Sequence, residues 1–284
     1  MNRMSHVSRP LLRYHGGKWR LAPWIIGHFP KHRIYVEPFG GSASVLLRKP
    51  RSYSEIYNDL DGEIVNLFRV LRQPAQAREL VRLIRLTPYA RTEFDETYIM
   101  TSDPIEQARR TLLRSHAGFS TTGVTGRWRV GFRGNVTRTG APPARNWQAF
   151  PPALEQIVER LQGVIIENGD AISIIERYDT PHMLHYLDPP YLPETRGDRW
   201  AGKAYAHEMT TADHRRLAEV LHQVQGKVIV SGYPCALYDD ELFAGWFRVK
   251  RKTRADGAKK RTEILWMNFQ PQIQARLPLE GVVE

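Results

Sequence analysis

One cysteine, Cys235, in 284 residues leaves no internal disulfide and no cysteine-cluster metal site, which fits a reducing compartment. No apolar stretch approaches the ~20 residues that a membrane-spanning helix needs. Met1 to Arg9 is polar, without the apolar segment of a secretory leader, so a cytoplasmic protein is expected. Acid is also scarce: 30 Asp plus Glu stand against 41 Lys plus Arg, a formal charge of +11. A surface of that sign attracts polyanions. The phosphate-cradling pattern G-x-G-x-x-G is missing too, because Gly40-Gly41-Ser42 lacks the third glycine. There is no internal repeat and no low-complexity block. With 42% hydrophobic residues, what is there is a globular chain long enough to bury a core unaided.

Strand and helix patterns alternate along most of the chain. Ile34-Tyr35-Val36-Glu37 reads as a strand that breaks at Pro38-Phe39-Gly40-Gly41-Ser42 before a helix-like Ala43 to Arg48. Ser54 to Tyr57 ends in Asn58-Asp59, and Ile64, Leu67, Phe68 and Leu71 follow at helical spacing. Leu154, Ile157, Val158 and Leu161 form a second stripe, stopped by Gly163, before the strand Val164 to Glu167. Met183 to Leu187 is the next strand. The stripe Leu217, Val220, Leu221 and Val224, closed by Gly226, then leads into Lys227 to Ser231. This rhythm predicts an α/β fold with a parallel sheet. Trp246 to Lys252 and Glu263 to Phe269, joined by the polar Thr253 to Thr262, read as a closing hairpin. The middle departs from the rhythm. After Asp103-Pro104, an N-cap with proline at N1, residues 118–152 shift to Gly, Thr, Arg, Pro and aromatics. We read 73–160 as an inserted lobe and 1–72 with 161–284 as the catalytic domain.

Asp188-Pro189-Pro190-Tyr191 at the end of a strand is the most informative motif. The prolines stiffen the backbone, so the Pro189 carbonyl and the Asp188 carboxylate can act together as acceptors for the two hydrogens of an exocyclic amine. Tyr191 offers a ring for the face of a flat base. Drawing the amine lone pair out of conjugation makes it a nucleophile. In open α/β sheets ligands lie beyond the carboxyl ends of strands, where Glu37, Pro38, Phe39 and Gly40, then Asp59, then Asp188 all fall. Asp59, some twenty residues after the glycines, is placed to bind a ribose diol. A cofactor with a ribose and no phosphate suits that set.

These segments, in this order, resemble the DNA N6-adenine methyltransferases of the Dam-like D12 class. The resemblance rests on Tyr14-His15-Gly16-Gly17-Lys18, Val36 to Val45, Tyr57-Asn58-Asp59 and Asp188-Pro189-Pro190-Tyr191. Weaker matches are Glu167-Asn168-Gly169-Asp170, Ser231-Gly232-Tyr233 and Thr262 to Asn268. It implies a class I, Rossmann-like methyltransferase sheet with an inserted target-recognition lobe. It also implies S-adenosyl-L-methionine as cofactor, contacted by Tyr14, Lys18, Asp59 and Asp188. The sequence departs from the family at His15, where a small residue is common, and at Tyr14, where many members carry Trp. Asp170 is read both as a cap for a helix starting near Ala171 and as a contact to the cofactor adenine.

The expected partner is double-stranded DNA, with no membrane and no metal, and the oligomeric state stays open. Arg127, Arg129 and Arg133, interleaved with aromatics, are the candidate DNA contacts of the lobe, and Lys259 and Lys260 those of the hairpin. An N4-cytosine methyltransferase and a non-catalytic DNA-binding protein on the same fold are the alternatives. Pro234-Cys235 resembles the nucleophile pair of cytosine C5 methyltransferases, but no other segment of that type accompanies it.

Overall fold

The computed structural model describes residues 5–134, 141–196, 205–254 and 260–271. Seven strands form one sheet: β1 Ile34–Glu37, β2 Ser54–Asn58, β3 Val164–Glu167, β4 Met183–Leu187, β5 Lys227–Gly232, β6 Phe247–Arg254 and β7 Lys260–Met267. Their order is β3-β2-β1-β4-β5-β7-β6. The first five pair in parallel, and β7 runs antiparallel to both β5 and β6. This is the α/β sheet with a closing hairpin that the sequence predicts. All five residues of β4 are buried, as suits a parallel strand covered on both faces.

The helices are α1 Ala22–Ile26, α2 Ser44–Arg48, α3 Gly62–Arg72, α4 Pro74–Leu86, α5 Arg91–Glu96, α6 Pro104–Ala117, α7 Pro143–Gln148, α8 Pro151–Leu161, α9 Ala171–Tyr178, α10 Pro193–Arg196 and α11 Thr211–Leu221. Local chemistry sets their starts. Asp61 caps α3 and Asp103 caps α6, each carboxylate accepting two free amides of the first turn. Thr210 and Asp213 cap α11 reciprocally. Two boundaries differ from the sequence reading. α11 stops at Leu221, and Gly226 serves the sheet instead, since a Cβ there would lie 2.9 Å from the His185 ring. The hairpin strands also shift toward the turn, β6 running from Phe247 to Arg254 rather than from Trp246 to Lys252 and β7 from Lys260 to Met267 rather than from Glu263 to Phe269.

Helices α4, α6 and α8 of the segment 73–160 pack with α3, and one apolar cluster joins Leu80, Leu112 and Leu154 to Tyr35, Leu184 and Leu265 of the sheet. Beyond α6 the chain is pinned by buried Arg114, which donates to the carbonyls of Val124 and Thr97 and pairs with Glu63 on α3. Among the described residues no helix is long and apolar enough to cross a membrane.

The strand order reverses at β1. From it the chain steps outward to β2 and β3, then returns to β4 on the other side and continues to β5. The loops after β1 and β4 therefore diverge and leave a crevice at their carboxyl ends.

Candidate active site

That crevice opens into a cavity of about 510 Å³, within the usual size range of cofactor sites. It is lined by every residue singled out for the cofactor: Tyr14, Lys18, Glu37, Pro38, Phe39, Gly40, Asp59, Asp170 and Asp188. Pro190 borders it as well, whereas Pro189 and Tyr191 lie outside its lining.

The glycine turn after β1 is shaped by two tyrosine rings. A Cβ on Gly40 would sit 2.1 Å from Tyr57 Cε2, and one on Gly41 would sit 3.0 Å from Tyr14 Cε1. Gly41 is left-handed at φ 47°, and the Tyr57 hydroxyl donates to its carbonyl at 2.7 Å. Fully buried Asn58 ties the strand-end loops together. Its amide group donates to the Pro38 carbonyl (2.8 Å) and the Gly169 carbonyl (3.0 Å), and its oxygen accepts from the Gly169 amide (2.9 Å). Nothing in the sequence pattern marked Asn58 beyond its place beside Asp59.

Asp59 accepts the Gly41 amide on one oxygen and the Asp61 amide on the other, both at 2.8 Å. Each oxygen keeps a further lone pair for a ligand hydroxyl. Burial pushes this carboxyl up to about 6, although both amide bonds oppose the shift. Burial likewise pushes Glu37 up to about 8, against hydrogen bonds from the Tyr35 hydroxyl (2.9 Å) and the Leu46 amide (3.0 Å). Asp170 caps α9, accepting from the Ser173 amide at 3.0 Å, and also faces the cavity.

Asp188 follows β4 directly. Its Oδ1 accepts from the Ser231 hydroxyl of β5 (2.8 Å) and from Lys18 Nζ (2.8 Å). Lys18 is nearly buried and also donates to the Gly16 carbonyl at 2.7 Å, which the left-handed Gly16 (φ 72°) turns inward. Burial works against its ammonium, but the carboxylates of Asp188 and Glu263 overcome that and hold its pKa above the usual lysine range. Tyr191, 6% exposed, donates its hydroxyl to Glu263, sits 4.8 Å below Lys18 Nζ and meets the Tyr233 ring edge-on at 4.7 Å.

A second cavity of about 650 Å³ is lined by Thr195, Tyr233, Pro234, Lys252, Thr253, Arg261 and Thr262. It shares no lining residue with the first, and Tyr191 touches one residue of each, Lys18 and Tyr233. Sequence reasoning missed Tyr233, Arg261 and the segment Tyr205 to Met209, which closes one side of the first cavity. Of these, Tyr233 falls in the weak match at Ser231-Gly232-Tyr233 and Arg261 directly after the candidate DNA contacts Lys259 and Lys260.

The candidate DNA contacts are spread out. Arg127, Trp128 and Arg129 are exposed, and Arg133 is half-buried. Arg127 donates to the Ala206 carbonyl at 2.7 Å, so the lobe touches the segment that borders the first cavity. Arg129 lies 5.2 Å over the Tyr98 ring. Lys260 opens β7, and Lys259 lies outside the described residues. Cys235 is half-buried, and burial pushes its thiol above the ordinary value, the reverse of what a thiolate nucleophile needs.

Donor chemistry discriminates among cofactors. Besides Glu37, which burial keeps largely protonated, Asp59, Asp61, Asp170, Asp188, Glu208 and Asp213 line the first cavity against Lys18 and Arg216; Lys18 is already paired with Asp188 and Glu208 with Arg196. A pyrophosphate would meet repulsion in such a lining, whereas a cation bearing a ribose fits it.

DNA adenine methylase of Escherichia coli (strain K12) is 23% identical over 285 residues, covering 94% of this chain and 97% of that protein. DNA adenine methylase of Serratia marcescens is 26% identical over 255 residues, covering 85% of this chain and 87% of its own. DNA N-6-adenine-methyltransferase of Escherichia phage P1 is 25% identical over 263 residues, which is 84% of this chain and 32% of that longer protein. The family model of D12 class N6 adenine-specific DNA methyltransferases matches residues 14–260, from the tyrosine that walls the cavity to the first residue of β7. With most of its length matched, and with the matched segments converging on one crevice, the chain belongs to the D12 class N6 adenine-specific DNA methyltransferases.

Proposed function

We propose that this protein methylates N6 of adenine at specific sites in double-stranded DNA, with S-adenosyl-L-methionine as the methyl donor. The observation that carries the reading is the seat of Asp188: a carboxylate at the end of β4, oriented by Lys18 and Ser231 at 2.8 Å each, on the wall of an acidic cavity at the strand-order reversal. When bound, the donor supplies an electrophilic methyl group on a sulfonium. Tyr14, Lys18, Glu37, Pro38, Phe39, Gly40, Asp59, Asp170 and Asp188 are the residues proposed to hold it, with Asp59 on the ribose hydroxyls.

Asp188 and the Pro189 carbonyl accept the two amine hydrogens of the target adenine and leave its lone pair pointing at the methyl. Tyr191 covers the base. Reaching that position requires extrusion of the base from the duplex, at a cost of a few kcal/mol. The second cavity supports an approach from the Tyr233 side, because Tyr191 touches a lining residue of each cavity and the second carries Lys252 and Arg261. Pre-fixed acceptors act mainly by positioning and by stabilising the charge that develops on the amine. Residues 73–160, with Arg127, Arg129 and Arg133, are proposed as the target-reading lobe, and the hairpin with Lys259 and Lys260 as a backbone contact.

Asp188→Ala tests the chemistry. It is expected to lower methyl transfer on the order of a hundredfold or more while the fold survives. Nucleoside analysis of the wild-type product should give N6-methyladenine; N4-methylcytosine, or near-wild-type activity in the variant, would overturn the assignment.

A further inference from the structure

Glu263 falls in the weakly matched segment Thr262 to Asn268, to which the sequence attaches no chemistry, yet it sits beside Lys18 and Tyr191. It lies on β7, one residue before the pairing of Ile264 with Gly232 of β5, and is 2% exposed. One of its oxygens accepts the Tyr191 hydroxyl and lies 3.8 Å from Lys18 Nζ, which is itself 2.8 Å from Asp188. Two carboxylates therefore share one buried ammonium. A buried charge without such partners would be expelled, so this arrangement fixes all three groups relative to one another.

Resting on the adenine-methyltransferase reading, we propose that Glu263 is a positioning residue of the reaction. It anchors Tyr191 by its hydroxyl, and it is the second carboxylate beside Lys18, in addition to the Gly16 carbonyl, that leaves Asp188 able to turn from the ammonium to the target amine. Asp188 has to serve both. Its Oδ1 already holds Lys18 and Ser231, and the pull of the ammonium on the carboxylate's charge weakens Asp188 as an acceptor for the incoming N–H. A neighbouring carboxylate that takes part of the ammonium's charge relieves that competition, and only in its ionised form.

Among the described residues the groups facing Glu263 are Lys18 from the N-terminal loop, Tyr186, Asp188 and Tyr191 from β4 and its exit, and Tyr233 after β5, with Arg251 opposite it on β6. Burial, opposed by Lys18, pushes the Glu263 carboxyl up to about 7. The ionised, working form is therefore filled only as pH rises through neutrality, and kcat should carry a matching acidic limb.

The test measures kcat at saturating DNA and methyl donor on both sides of about pH 7, with donor affinity followed separately by calorimetry. Glu263→Gln keeps an acceptor for Tyr191 but removes the charge. It is expected to lower kcat about tenfold or more, to leave donor affinity unchanged and to abolish the limb, with Glu263→Asp recovering part of the loss. Tyr191→Phe removes only the hydroxyl, whose hydrogen bond favours the ionised carboxylate, so the limb should move to higher pH. Wild-type kcat in Glu263→Gln, a limb that survives there, or a limb that stays put in Tyr191→Phe would each overturn the proposal. A wild-type enzyme that makes N6-methyladenine in the same assay separates those outcomes from failure of the parent reading, with which the proposal falls.

Discussion

Gly40 shows how closely single residues are constrained at the site. The Tyr57 ring occupies the space where any side chain on Gly40 would begin, 2.1 Å from a Cβ, and Tyr57 is itself locked by its bond to the Gly41 carbonyl and by the Phe68 ring 4.2 Å away. Gly40→Ala should therefore cost about 1–3 kcal/mol, the usual range for overpacking a filled site. It should also displace the turn that faces the cofactor cavity. Thermal denaturation with and without S-adenosyl-L-methionine checks both effects: a lower melting temperature together with a smaller ligand-induced rise is expected, and an unchanged rise would detach the turn from the ligand. Asp59→Ala probes the same cavity from β2 and should weaken donor binding more than DNA binding. Equal donor affinity by calorimetry would remove Asp59 from the site.

At the scale of elements, legibility followed chemistry and sequence locality. β1, β3 and the caps Asp103 and Asp170 stood where the sequence put them, because a short apolar run bounded by glycine, or an acid before a helical stripe, is a local signal. Lys18, Asp59 and Asp188 could be picked out because each closes a motif. Glu263, Asn58 and Ser231 lay in matched segments but carried no readable role. Each acts through a partner that only the sheet order brings near: a glutamate within a strand-like run reads as a solvent-facing residue until β7 is seen to pair beside β5. Helix α4 carried a readable period in Ala77, Leu80, Val81 and Ile84, yet it merged into the segment assigned to the lobe. In that lobe the arginines differ in setting. Arg127 reaches the Ala206 carbonyl, Arg129 rests on Tyr98, and the Arg133 carbonyl accepts from the Tyr89 hydroxyl at 2.9 Å. If one of them reads a guanine edge, its alanine variant should lose ~1–3 kcal/mol of discrimination at one base position. A phosphate contact would instead weaken all sequences alike and flatten the salt slope. Methylation profiles over a randomised DNA library at two salt concentrations distinguish these, and unchanged preference in all three variants would reject the segment as the reader.

The whole molecule carries a net charge of +11 and yet buries several acids in and beside one cavity, and that burial is stored as raised carboxyl pKa values. Glu37 and Glu263, held near about 8 and about 7 by burial, keep their protons in the fold at a pH where the unfolded chain, with carboxyls near 4.5, has released them. The unfolded state then binds fewer protons, so stability falls as pH rises from about 4.5 and levels off once the folded values are passed. Buried His116 and His214, lowered to about 4, act on the other side: the unfolded chain takes up protons below 6.5 that the fold refuses, so stability also falls as pH drops through that window. Between 6.5 and 8 the two acids therefore dominate the slope. Glu37→Gln removes one of them, because an amide has no proton to release. Its melting temperature relative to wild type should rise between pH 6.5 and pH 8, by an amount corresponding to no more than about 2 kcal/mol. Thermal denaturation of both proteins without ligand at the two pH values decides it: a constant difference would mean that Glu37 ionises in the fold as freely as in water, and that the acidic cavity stores no such free energy at this position.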